Sequence, residues 1–180
     1  MDDSLFENYS NSENLNSDNL NIIDKKMPQN LEAEQSLLGS ILFDNKILED
    51  IPTNFNNQYF FDPLHASIYE ACISLTDAGK LADPLTLKNY LNDTNLNQDI
   101  DIEKYLLDLR EGVLSLSKAK FYAEEIKNCY IRRSLVRIAD ELINKSINPN
   151  VDVTPDQEIS ETEEKLYNLA EKDQINSGPI

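Results

Sequence analysis

From Ser117 to Ile147 the chain contains no proline and no glycine, and this stretch predicts one long helix. At about 100° per residue its apolar positions do not form a single stripe. Ala119, Tyr122, Ile126 and Cys129 share one face, whereas Ile131, Leu135, Ile138, Ala139 and Leu142 lie on nearly the opposite one. The first half must therefore pack on one body and the second half on another.

The second body follows directly in the chain. Asn148-Pro149-Asn150 breaks the helix, and Thr154-Pro155-Asp156-Gln157 reads as a capping box with proline in the first turn. The helix it opens carries Ile159, Leu166, Leu169 and Ala170 on one stripe. From Ser117 to Ile147 there are seven basic and four acidic residues, and from Asp152 to Asp173 two basic and eight acidic. Opposite charge biases the two helices toward an antiparallel hairpin over residues 113–173. Its expected interface sets Leu135, Ile138 and Leu142 against Ile159, Leu166 and Leu169. A two-helix hairpin buries one narrow seam and needs another copy, or another protein, to cover it.

Upstream, residues 27–112 read as a compact head of about five short helices. Asn30 caps a helix bearing Leu31, Leu37, Leu38, Ile41 and Leu42. Ile47, Leu48 and Ile51 suggest a second, stopped by Pro52. Phe55, Tyr59, Phe60 and Phe61 form the expected aromatic centre of the core. Asp62-Pro63 and Asp83-Pro84 each pair a cap with a first-turn proline, and Asp101 opens a further helix that Gly112 ends. Residues 1–26, rich in Asn, Ser and Asp, are expected to be a disordered acidic arm. A short docking peptide through Leu5 and Phe6 is the alternative. Residues 174–180 read as the start of a linker. The fold class is all-α: a helical head followed by a long two-helix antiparallel hairpin.

Sixteen basic residues against 33 acidic ones give a formal charge of −17, which opposes wholesale contact with phosphate backbones. The two cysteines, Cys72 and Cys129, sit among apolar neighbours and read as buried free thiols. The N-terminus shows no basic and apolar leader, and no apolar run reaches the ~20 residues that span a bilayer. A cytoplasmic address, without membrane association, is the simplest expectation.

The search for chemistry ends without a catalytic site. None of the four glycines falls in a phosphate-cradling loop. His65 is the only imidazole, so no histidine pair can hold a metal; a structural or capping role is expected of it. Glu124-Glu125 and Glu163-Glu164 point about 100° apart on a helix and read as solvated faces. No catalytic, cofactor or metal residue is assigned. The remaining feature is a basic strip of Arg132, Arg133 and Arg137, with Lys127 a turn earlier. It could pair with the acidic helix, dock a partner protein or, less readily, touch nucleic acid.

The order of motifs resembles the N-terminal domain of bacterial replicative DNA helicases of the DnaB family. The resemblance is carried by the run Pro28-Gln29-Asn30-Leu31-Glu32-Ala33-Glu34-Gln35-Ser36-Leu37-Leu38-Gly39. It continues through Phe60-Phe61-Asp62-Pro63-Leu64-His65-Ala66-Ser67-Ile68-Tyr69, Asp83-Pro84-Leu85-Thr86-Leu87 and Tyr122-Ala123-Glu124-Glu125-Ile126 with Arg133 and Leu135. It spans about residues 28–172. Asp99-Ile100-Asp101 departs from the Gly-Gly pair common in the family before Tyr105. The resemblance implies a collar domain whose hairpins pair between subunits as a trimer of dimers on a hexameric ring. It also implies docking of the primase C-terminal domain, with a helicase loader as a further partner. DNA contact, ATP, Mg and hydrolysis would belong to a RecA-like motor beyond this chain. The competing reading is a stand-alone acidic adaptor or nucleic-acid mimic, for which the charge is the only support. A carboxylate-bridged metal hydrolase is disfavoured by the single histidine and the lack of a Glu-x-x-His motif.

Overall fold

The computed structural model describes residues 27–91, 101–113 and 115–174, and among these all regular structure is helical. Seven α-helices run in order: α1 Leu31–Phe43, α2 Ile47–Asp50, α3 Pro63–Asp77, α4 Pro84–Leu91, α5 Ile102–Glu111, α6 Ala119–Ile147 and α7 Pro155–Gln174. Short 3₁₀ turns at Asn57–Tyr59 and Leu116–Lys118 lead into α3 and α6. The expected arm and residues 92–100 lie outside the described residues, as does the expected linker beyond Gln174, which itself ends α7.

The start signals act as their chemistry requires. Asn30 Oδ1 accepts the Ala33 N–H at 3.0 Å, and Asp62 Oδ1 accepts the Leu64 N–H at 2.8 Å, one residue after the first-turn Pro63. Asp83 Oδ1 takes the Thr86 N–H at 2.8 Å, and Asp101 Oδ1 the Lys104 N–H at 3.2 Å. Before α7 the capping box closes both ways, Thr154 N–H to Gln157 Oε1 at 2.8 Å and Gln157 N–H to Thr154 Oγ1 at 3.4 Å. Gly79 ends α3 with φ +70°, a conformation that favours glycine.

Helix α1 is the axis of the head and touches α3, α5 and α6. Its stripe of Leu37, Leu38 and Ile41 is fully buried, joined by Ile68 and Cys72 of α3, Leu87 of α4 and Leu106 of α5. Such a side chain contributes about 1.5–3 kcal/mol on burial, so these few residues carry much of the drive to fold. The α1–α5 crossing is close enough to require Gly39: a Cβ there would lie 2.2 Å from the Leu109 carbonyl oxygen and 2.9 Å from Val113 Cγ2. At the end of α1, Asn45 clasps the backbone of Ala82, accepting its N–H and donating to its C=O at 2.9 Å each. That clasp fixes the approach to α4.

The expected aromatic centre is present with one exception. Phe55 meets Tyr59, Phe60 and Tyr69 edge-on at centroid distances of 5.3, 5.7 and 5.3 Å. Tyr59 in turn reaches Tyr130 of α6 at 4.8 Å. Phe61 stays 40% exposed and lies outside this cluster.

The long helix divides its contacts as its pattern predicts. Ala119, Ala123 and Ile126 are buried in the head core, whereas the half beyond Arg133 leaves the head and runs beside α7. Of the two free cysteines, Cys72 is buried as expected but Cys129 is only half-buried, because its face of α6 reaches the rim of the head rather than its centre.

Candidate interaction surfaces

Two polar assemblies fasten the head, and neither leaves an open reactive group. Glu34 occupies a stripe position of α1, three residues before Leu37, and is 1% exposed. Its carboxyl oxygens accept the Phe61 N–H at 2.6 Å, the Asp62 N–H at 3.3 Å and His65 Nδ1 at 2.6 Å. With Glu34 accepting, Nδ1 carries the proton and Nε2 takes the Tyr105 hydroxyl hydrogen at 2.6 Å. The Tyr105 oxygen then accepts from Gln35 Nε2 at 3.3 Å. One chain of bonds thus joins α1, the entry to α3, and α5. His65 has the structural role expected of it. Burial, partly offset by the Gln35 bond, raises the Tyr105 hydroxyl above its ordinary pKa.

The second assembly corrects the basic strip. Arg133 is 3% exposed. Its guanidinium donates through Nη1 to the Pro28 carbonyl at 2.9 Å and through Nη2 to the Tyr59 carbonyl at 2.7 Å. It also lies 5.5 Å from the Phe61 ring centroid and 6.0 Å from that of Tyr130. Burial pulls its pKa below the arginine range, and the nearby Glu34 carboxyl opposes that shift. Arg133 is therefore a staple between α6, the chain entry and the aromatic turn, and cannot meet an outside partner. Arg132 and Arg137 do stay exposed, and no ion pair joins either to α7 among the described residues.

The hairpin is held in register by other charges. Lys165 Nζ meets Glu141 Oε1 at 2.5 Å and Lys145 Nζ meets Glu161 Oε2 at 2.7 Å. The partners step four residues forward on α6 and four backward on α7, which is a single antiparallel register. Lys145 also reaches Glu141 at 3.1 Å, linking the four charges into one network. Hydrogen bonds from Lys165 and Lys145 hold Glu141 below the usual carboxylate range, and Lys145 does the same to Glu161. Those two carboxylates raise Lys145 in return.

The six apolar residues expected at the interface are split by this arrangement. Ile138, Leu142 and Leu169 are half-buried, whereas Leu135, Ile159 and Leu166 are 44, 55 and 42% exposed. Ile138 and Leu142 of α6 and Leu169 of α7, less exposed than the four charged side chains, form a thin apolar seam between the helices, and Leu135, Ile159 and Leu166 border it on the outside. Ile143, Ile147 and Tyr167 extend the exposed apolar surface.

Sequence reasoning missed Glu34 and the true place of Arg133, although a signal existed for both. Glu34 keeps the three- and four-residue spacing to Leu37 and Leu38, and Arg133 lies seven residues after Ile126 on the head-facing stripe. A charged residue on an apolar stripe has to be paired inside. Among the described residues no cluster of His, Cys, Asp and Glu could hold a metal ion, and no helix is long and apolar enough to cross a membrane.

These features define an all-α head-and-hairpin domain, fastened internally by buried polar bonds and presenting an uncovered apolar stripe. Comparison with known proteins gives that architecture a family. Residues 26–128 match the family described as DnaB-like helicase N terminal domain, and the chain belongs to that family. Among its relatives, the Replicative DNA helicase DnaB of Rickettsia conorii (strain ATCC VR-613 / Malish 7) is 34% identical over 155 residues, covering 86% of this chain and 31% of the relative. The Replicative DNA helicase DnaC of Bacillus subtilis (strain 168) is 28% identical over 149 residues, covering 83% and 32%. The chain thus spans about a third of the length of the curated relatives it matches. The crystal structure of the N-terminal domain of DnaB helicase from Mycobacterium tuberculosis superposes with a TM-score of 0.72 at 24% identity. It covers 79% of this chain and 99% of that one, a likeness of fold.

Proposed function

We propose that this chain is the collar domain of a cytoplasmic replicative DNA helicase, and that it joins subunits of the ring through its hairpin. The observation that carries this reading is the outward apolar stripe of Leu135, Ile159 and Leu166, flanked by half-buried Ile138, Leu142 and Leu169. A soluble domain that leaves such a row uncovered on two neighbouring helices has a partner for it. A second hairpin offers the same stripe, so a two-fold pairing is self-complementary. Unwinding, ATP and Mg belong to a motor elsewhere in the parent protein. Primase, through its C-terminal domain, docks on the assembled collar, and a loader is a further candidate partner. Of the basic strip, Arg137 suits primase, because it follows Arg133 by four residues on the flank continuous with the head.

Ile138→Asp combined with Leu166→Asp is expected to reduce the mass in light scattering to that of a monomer; an unchanged oligomer refutes the seam assignment. Calorimetric titration with the C-terminal domain of primase from the same source is expected to give saturable heat that Arg137→Ala weakens. Heat that Arg137→Ala leaves unchanged moves the docking surface elsewhere.

A further inference from the structure

Helix α7 is unusual among the long helices of this chain. Where described, none of its side chains is buried; each is exposed or half-buried. It is tied to α6 by half-buried Leu169 and by the ion pairs of Lys165 with Glu141 and of Glu161 with Lys145, at 2.5 and 2.7 Å. All four of those charged side chains are 40–50% exposed to solvent. Exposed pairs of this kind are weak and salt-screened, and an isolated helix of this length is marginal in water. Of the large apolar residues of α7 Leu169 alone is half-buried, whereas Ile159, Leu166 and Tyr167 are 55, 42 and 61% exposed. By contrast α6 is anchored before it reaches α7, through Ala119, Ala123, Ile126 and Arg133.

We propose that α7 is an assembly-coupled helix, registered on its own α6 by the four-charge network but stabilised only when a second copy's hairpin covers its apolar stripe. The proposal rests on the hairpin pairing put forward above and adds that folding of α7 and pairing are one equilibrium. The occupant is a second copy because the surface complements itself in both respects. Leu135 and Ile143 of α6 and Ile159 and Leu166 of α7 offer an apolar row on each hairpin. Arg132 borders that row three residues before Leu135 and has no ion pair among the described residues, while α7 exposes Glu163, Glu164 and Glu171. A two-fold brings the basic border of one hairpin toward the acidic helix of the other.

The consequence is a division of labour between charge and apolar contact. The network chooses the register of α7 while it is transiently helical, and the second copy then holds it. A monomer therefore has a firm head and a frayed end, and the docking face exists only in the assembled form.

The test is hydrogen exchange on the 180-residue chain, with mass measured by analytical ultracentrifugation on the same samples. In the parent protein, α7 amides are expected to gain protection with rising concentration in step with the rise in mass. In the Leu166→Asp monomer, raising NaCl from about 0.15 M to about 1 M should speed α7 exchange about tenfold. Protected α1 and α3 amides in the same sample report that the head is still folded. A Leu166→Asp monomer whose α7 stays as protected as in the parent dimer, at either salt concentration, overturns the coupling and leaves the pairing intact. A parent chain that stays monomeric at every concentration overturns both.

Discussion

Replacing Arg133 by methionine separates an internal staple from a docking residue. Methionine keeps most of the stem's packing volume and removes the two donors. The side chain makes two charge-assisted bonds, to Pro28 O at 2.9 Å and Tyr59 O at 2.7 Å. Each such bond contributes about 1.5–3 kcal/mol, and a buried carbonyl left without a donor carries a cost of its own. Contact with the Phe61 and Tyr130 rings adds about 0.5–1 kcal/mol. Against this, burial disfavours the charged guanidinium, as its lowered pKa reports, so its removal recovers part of the loss. The net expectation is a destabilisation of about 2–4 kcal/mol. Arg137→Met, at an exposed site, should stay within about 0.5 kcal/mol of the parent. Urea unfolding followed by far-ultraviolet circular dichroism and tyrosine fluorescence measures both, with an unchanged slope showing that only stability moved. If Arg133→Met unfolds at the parent's midpoint, the staple is refuted and Arg133 returns to the surface strip; if Arg137→Met loses as much as Arg133→Met, Arg137 is not a free surface residue.

Gly39→Ala should destabilise the head by about 1–3 kcal/mol, although alanine is the better helix former by about 1 kcal/mol. The reason is that its Cβ would lie 2.2 Å from a backbone oxygen of α5, and a melting temperature equal to or above the parent's sinks that reasoning. Acid should release α7 before the head. Glu141 and Glu161 have depressed pKa values in the folded chain, so their contribution is present above the ordinary glutamate value near ~4.3 and is lost as pH falls through the depressed values. Lys145 acts in the opposite sense: its raised pKa keeps its contribution intact below the ordinary lysine value near ~10.4, and the contribution is lost as pH rises through the higher one. Hydrogen exchange of α7 amides in the Leu166→Asp monomer from pH 7 to 3, corrected for intrinsic rates, checks the acid limb; protection that does not change across that range refutes it.

Much of the fold can be read from the sequence because its signals are local. A cap followed by proline at Asp62-Pro63 or Asp83-Pro84 acts within one turn, and the periodicity of α1 and α6 states which faces are buried. The change of face along α6 even gives the two bodies it serves. What the pattern does not give is the chemistry of pairs formed across the fold. His65 meets Glu34 and Tyr105 across 31 and 40 residues, and Arg133 meets Pro28 across 105. Counting charges placed a basic helix beside an acidic one correctly, yet Arg132 and Arg137 were the wrong residues to pair. Their angular positions on α6 point away from α7, while Glu141 and Lys145 point at it. The six seam residues divide for the same reason: stripe membership says that a face is covered, not by what, and Ile138, Leu142 and Leu169 are half-buried while Leu135, Ile159 and Leu166 stay exposed.

The net charge then bears on how the seam is covered. A formal charge of −17 on each copy opposes bringing two together at long range, so the pairing proposed above requires a short-ranged attraction. Apolar contact between outward stripes satisfies that condition and is indifferent to salt to first order. At physiological ionic strength the screening length is about 8 Å, shorter than the separation of most charges on two approaching domains but longer than the contacts within the four-charge network. Long-range repulsion is thus damped while Lys145, Glu141, Lys165 and Glu161, at 2.5–3.1 Å, still set the register. An apolar row on the outside of the hairpin, Leu135, Ile159 and Leu166, beside a charge network that sets the register within it, therefore suits the pairing of two acidic copies proposed above.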